Sequence, residues 1–402
     1  MLHSVNAIRV IAEYFVVRLH TFSWTIGMDS FVRDLMSFFF VLSGFVMMHT
    51  HHSASFTTMK QRRDFWVGRW KKAYPAYILV YALRSPVIFV RALGSDTSDR
   101  CVYKLYCSLI EIFILNPWFG CGVNNTINAV DWYIGTLAWL WFLFPFIHGT
   151  LKVFFSSRIW AKMLLISAIS TGLIFPFSGY EIFTICTLPV LRLGEFIIGC
   201  AAACALEKLE RPEESRPLTM LQWTPFALIL VYMAVLYTFF ALPHGLGSLC
   251  LHENRINERC SLWETSERIE GKNNNNPPCL LVWDKYFNKH AFLWAVIIYT
   301  VASAEKSNDQ GVFMRLLGHD AFKSLSSFSL CLYLGHISMN WLLVLITDSL
   351  GWANFWHDDT RLLNVYALCY LLHLLLHLLT QKITAVVIKY APISKQVEET
   401  GL

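Results

Sequence analysis

Four ionisable side chains interrupt the first apolar stretch of this chain: Arg9, Glu13, Arg18 and His20. A charge inside a membrane span costs several kcal/mol, so a group retained there is a candidate for function. Arg9 and His20 are eleven positions apart. On a helix that leaves them about 20° apart in azimuth and roughly 16 Å apart along the axis. One helix face then holds a permanent cation near one end and, near the other, an imidazole that titrates close to neutral pH. Glu13 follows Arg9 by four positions, a spacing that allows an ion pair. The chemistry open to such a face is proton transfer or nucleophilic attack by His20. The plain alternative has Arg9 and Arg18 snorkelling to the two interfaces and His20 as an interface histidine.

Other candidates lie further along. Arg192 and Glu195 are three apart and face the same way; a structural ion pair between helices is the bland account of them. His336 follows Tyr333 in a late apolar segment. His373 and His377 have a metal-binding spacing but no third ligand near in sequence, so packing is expected and no metal site. His49, His51 and His52 fall at a helix end, where solvation is expected. The stretch Lys60 to Lys72, with Arg63 and Arg69, reads as a strongly basic loop. It serves topogenesis and suits a phosphate-rich ligand.

The elements that must position these groups are membrane helices. Of 402 residues, 55% are hydrophobic and only 15% charged, with mean hydropathy +0.45. The expected fold class is all-α: a polytopic membrane protein with about ten transmembrane helices. A helix needs about 20 apolar residues to cross, which places spans at about 5–25, 29–49, 73–92, 132–149, 159–178, 184–205, 222–242, 288–304, 325–347 and 361–387. The short run 105–115 reads as a re-entrant or lumenal helix. Ten spans put the basic clusters, Lys60 to Lys72 and Lys152 to Lys162 among them, on the cytoplasmic side with both termini. Arg9, Glu13, Arg18 and His20 break any cleavable leader, so the first helix is expected to be retained.

The whole chain reads as one transmembrane domain, with its core at about 5–387, extracytoplasmic loops at 93–131 and 243–287, and a cytoplasmic tail at 388–402. The loops hold Cys101, Cys107 and Cys121, and Cys250, Cys260 and Cys279, which an oxidising compartment would let pair. The Asn124-Asn125-Thr126 sequon falls in the first of them, and Asn273 to Asn276 with Pro277-Pro278 marks a flexible insertion in the second. A net charge of +5 without a basic, aromatic-rich patch argues against a nucleic-acid partner.

Five segments in order resemble the acyltransferase 3 family of integral membrane acyltransferases. Arg9-x10-His20 is similar to that family's first-helix signature. Phe38-Phe39-Phe40-Val41-Leu42-Ser43-Gly44-Phe45 resembles its second-helix motif, and Arg69-Trp70-Lys71-Lys72-Ala73-Tyr74-Pro75 its basic entry to the third helix. Arg192-Leu193-Gly194-Glu195-Phe196 with Gly199, and Ser329-Leu330-Cys331-Leu332-Tyr333-Leu334-Gly335-His336, are similar to two later motifs. The departures are Lys72 for an Arg, Ser37 for an Asp, and Leu137 for a Glu in a segment that keeps Trp132 and Pro145.

The resemblance implies transfer of an acyl group, commonly acetyl, from cytosolic acyl-CoA to a hydroxyl of a carbohydrate or lipid-linked acceptor. His20 and Arg9 would then be catalytic. Arg69, Lys72, Arg63, Ser43, Arg192, Glu195, Trp132, Tyr333 and His336 would bind substrates. Acyl-CoA is expected as co-substrate with no permanently bound cofactor. The expected partners are membrane lipid, acyl-CoA and a hydroxyl-bearing acceptor. The sequon and the cysteines point to a eukaryotic endomembrane or plasma membrane. A transporter lined by the intramembrane charges is the rival reading, and a catalytically silent relative, suggested by Leu137, is a third.

Overall fold

A computed structural model of the chain describes residues 2–21, 28–95, 98–119, 130–174, 187–209, 290–307, 311–349 and 358–390. These residues form eleven α-helices, a 3-10 turn at Asn116–Trp118, and no strand. In order they are α1 (His3–Thr21), α2 (Met28–Thr50), α3 (Met59–Ser95), α4 (Ser98–Ile112), α5 (Asp131–Phe154), α6 (Ile159–Ile174), α7 (Pro189–Leu209), α8 (Ala291–Lys306), α9 (Val312–Leu317), α10 (Asp320–Ser349) and α11 (Asp358–Tyr390). Among the described residues, four segments are long and apolar enough to cross a membrane: Asp131–Phe154, Pro189–Lys208, Asp320–Thr347 and Arg361–Leu379. Asp34–Thr50 and Ile159–Leu173 are apolar but shorter. The expected span 222–242, the loop 243–287, the sequon, the Asn-rich insertion and the tail beyond residue 390 lie outside the described residues.

Helix directions follow from cross-helix contacts. Arg9 meets Ser326, Glu13 meets Ser329 and His20 meets His336, so α1 and α10 run parallel. Val41 lies against Gly199 and His49 bonds to Glu207, so α2 and α7 are parallel too. His290 pairs with Asp34, while Glu305 meets the start of α1. Hence α8 runs with α2 and against α1. Asn340 with Arg361 and Cys331 with His373 make α10 and α11 antiparallel.

The basic segment expected as a loop is helical. Thr58 and Gln61 form a reciprocal capping box: the Thr58 N–H donates to Gln61 Oε1 at 3.0 Å, and the Gln61 N–H donates to Thr58 Oγ1 at 3.3 Å. That satisfies two of the donors a helix start leaves open, and α3 begins there rather than at residue 73. Arg63, Arg69 and Lys72 therefore ride on a rigid rod. Tyr74, Tyr77 and Tyr81 of α3 donate to the carbonyls of Ile112, Glu111 and Ser108, at 3.2, 2.6 and 3.0 Å. They clamp α4, which also holds the buried, disulfide-bonded Cys107.

At the start of α1, Glu305 accepts the His3 and Ser4 N–H groups at 2.7 and 2.9 Å, and the Ser4 hydroxyl as well. A carboxylate at a helix N-terminus satisfies orphan donors and faces the positive end of the dipole. At the same end of the bundle Glu207 receives His49 at 2.9 Å and Lys306 at 3.6 Å, linking α2, α7 and α8.

The tightest crossing is α2 on α7. A Cβ built on Gly44 would stand 1.9 Å from the Phe196 carbonyl oxygen, and one on Gly199 1.9 Å from that of Val41. Such approach is open only to glycine, and small residues are the usual membrane-helix interface because dispersion and close packing hold it. Gly199→Ala should push backbone against backbone and cost about 1–3 kcal/mol. A thermal melt of the detergent-solubilised variant checks this; an unchanged midpoint would mean the crossing yields freely.

Candidate functional site

The seam between α1 and α10 gathers Arg9, Glu13 and His20 of the first helix. Near its start, Arg9 Nη2 donates to the Ser326 carbonyl at 3.0 Å. One turn on, Glu13 is 2% exposed and accepts the Ser329 hydroxyl at 2.5 Å. The spacing that allows an Arg9–Glu13 ion pair does not bring the two into direct contact: α10 offers each side chain another hydrogen-bond partner. Arg9 Nε and Glu13 Oε1 are buried with no hydrogen-bond partner among the described residues.

Toward the end of α1, the rings of His20 and His336 meet. His20 Nδ1 lies 3.1 Å from His336 Nε2 and 3.0 Å from the Val16 carbonyl. The ring centroids are 5.0 Å apart with planes tilted by 40°. His336 is buried, and its Nδ1 faces the carbonyls of Tyr333 at 2.7 Å and Leu332 at 3.2 Å. Asn340, one turn on, donates to the His20 carbonyl at 3.3 Å and accepts Arg361 Nε at 2.8 Å. The end of α1 is thus tied to α10, and through Asn340 to α11.

From this pair an aromatic path leads into the bundle. Tyr333 lies 6.1 Å from His336 and 5.0 Å from Tyr133, centroid to centroid, and Tyr133 lies 5.0 Å from Phe40. Arg192 stands over Phe40 at 5.0 Å and over Trp132 at 5.8 Å. Arg192 is 1% exposed and Glu195 is fully buried; the guanidinium donates to both carboxylate oxygens, at 3.0 and 3.1 Å. The pair is engaged within its own helix, α7, and with the rings that α2 and α5 send to it. Leu137 is buried in the apolar core.

The basic residues are less united. Arg69 Nη2 donates to His51 Nε2 at 2.8 Å and lies over Phe65 at 5.4 Å. Burial, and then the Arg69 cation beside it, push the His51 imidazole down to about 4. Arg63 is exposed and lies 3.7 Å from its neighbour Asp64, and Lys72 is exposed. Arg69 also borders a cavity of about 350 Å³ walled by Trp66, Trp70, Trp118, Trp139 and Phe142. Ser43 is half-buried on α2. His49 and His51 are not simply solvated: each holds a charged partner on another helix. His373 packs against Phe328 and Cys331.

Reading the sequence by itself passes over Asp34, Tyr133 and Asn340. Asp34 is 1% exposed and carries His290 at 3.0 Å; a lone carboxylate one turn before Phe38 is a signal. Asn340 stands four after His336, on the same face.

An all-helical bundle, apolar enough for membrane spans and holding ionisable groups against one another in its interior, is the architecture of an integral membrane protein with an internal polar site. The family model for the acyltransferase domain, acyltransferase 3, matches residues 2–376, and the chain belongs to that family. No curated protein and no solved structure matches it. The protein is a membrane acyltransferase.

Proposed function

We propose that the protein moves an acyl group, acetyl in the simplest case, from cytosolic acyl-CoA to a hydroxyl of a carbohydrate or lipid-linked acceptor. The observation that carries this is the part-buried meeting of His20 with His336 on the helix face that also bears Arg9. His20 is the base that takes the acceptor's hydroxyl proton. Arg9, roughly three turns nearer the start of α1, guides the donor. Both termini then lie in the cytoplasm, and loop 93–131, with the disulfide at Cys107, on the oxidising side of a eukaryotic endomembrane or plasma membrane.

Arg69 is the strongest candidate for the CoA phosphates. It is held in place by His51, keeps further N–H donors, and borders indole faces suited to an adenine ring. Arg69→Ala combined with Lys72→Ala should raise the KM for acetyl-CoA about tenfold with kcat little changed, the signature of lost uniform binding. An unchanged KM would assign the cluster to topogenesis alone.

The reading is tested with full-length protein in lipid nanodiscs, labelled acetyl-CoA and a panel of hydroxyl acceptors. Transfer of label supports it. Substrate flux across proteoliposomes without CoA release would favour a transporter, which the family match does not.

A further inference from the structure

The two imidazoles of the α1–α10 seam are not equivalent. A carbonyl oxygen only accepts, so His336 Nδ1, 2.7 Å from the Tyr333 carbonyl and 3.2 Å from that of Leu332, carries a proton. In the neutral ring His336 Nε2 is then a lone pair, and it points at His20 Nδ1 from 3.1 Å. Two lone pairs repel, so His20 Nδ1 must carry the proton between them. The Val16 carbonyl, 3.0 Å from the same nitrogen, requires the same assignment independently. Were the proton on His336 Nε2 instead, that carbonyl would face a bare nitrogen.

We infer that His336 is a positioning residue that holds His20 as its Nδ1–H tautomer, with Nε2 as the basic nitrogen, and receives the Nδ1–H hydrogen bond as His20 becomes an imidazolium. The inference rests on the proposed role of His20 as base. The step balances as follows. The acceptor hydroxyl gives its proton to His20 Nε2 while its oxygen bonds to the thioester carbonyl carbon. The C–S bond then breaks with the electron pair on sulfur, and the proton on Nε2 passes to that thiolate, leaving the acyl ester, CoA thiol and neutral His20. Throughout, the positive charge is stabilised along Nδ1–H···Nε2 of His336, the part a carboxylate plays in hydrolytic triads. Val16 bonds to His20 along its own helix, and a partner on α10 fixes the ring's direction across the seam.

Two measurements test this. With 15N-histidine-labelled full-length protein in bilayers, nitrogen NMR assigned through the His20→Asn and His336→Gln variants should show His20 protonated at Nδ1 and bare at Nε2; a proton on Nε2 with a bare Nδ1 would overturn the inference. This arm needs no acceptor. In the second, CoA release from acetyl-CoA with glucose as hydroxyl acceptor is followed for His336→Leu and His336→Gln. Leucine cannot accept from Nδ1–H and should lower kcat about 100-fold with both KM values held. The glutamine carbonyl can accept and should recover most of the rate. Wild-type kcat in His336→Leu, or equal losses in both variants, would sink the positioning role. His20→Ala separates the two claims: full CoA release by that variant removes His20 as base, whereas an inactive His20→Ala beside a fully active His336→Leu removes only the inference drawn here.

Discussion

His20→Ala is expected to lower acyl transfer at least about 1,000-fold while the protein stays folded. A positioned general base contributes roughly 10²–10⁴, and a loss of this size lies inside that range. Folding should survive for a local reason. The anchors of α1 are elsewhere: the Glu305 cap at His3 and Ser4, Arg9 on Ser326, and Glu13 on Ser329. Alanine is the best helix former, so the helix itself gains. Label transfer from acetyl-CoA in isolated membranes, beside gel filtration of the solubilised variant, reads both claims. A folded variant that turns over normally would remove His20 from the chemistry. The wild type also separates two routes: a base leaves no covalent trace, whereas an acyl-histidine would be trapped on His20 and give ping-pong kinetics.

What the sequence made legible was intrahelical. The Arg9–His20 spacing gives a shared face by arithmetic, and Arg192 with Glu195 pairs as an i, i+3 neighbour should. What it hid was contact between distant segments. His20 and His336 are 316 positions apart, so each could be marked as a candidate but not joined to the other. The same cause defeated the Arg9–Glu13 pairing, since hydroxyl and carbonyl groups of α10 compete at positions no local rule contains. The basic stretch at Lys60 failed differently. Its capping box at Thr58 and Gln61 is written in the chain, but its charge density points to a loop. His51 shows a further limit: a helix ends there, which points to solvent, whereas α3 brings Arg69 back over it.

The second large effect belongs to Arg192 and Glu195. Both are almost wholly buried, and neither can be left alone at low cost. Breaking a buried pair by removing one partner typically costs about 3–5 kcal/mol, because the survivor keeps its charge without compensation. Arg192→Leu should therefore be the most damaging substitution in α7, and more so because it also strips the cation from Phe40 and Trp132. Glu195→Leu should come close behind. The double variant Arg192→Met with Glu195→Leu removes both charges and fills similar volume, so it should be clearly more stable than the Arg192→Leu single and fall short of additivity by more than about 1 kcal/mol. Melting of the three variants in one detergent decides it. Additive losses would mean the two charges do not depend on each other, and their burial would then have to be explained by substrate. Strong coupling with activity kept in the double variant would make the pair a strut that sets the Phe40 and Trp132 rings. Coupling with activity lost would place the charge itself, and not only the packing, in the path between the histidine seam and the rest of the bundle.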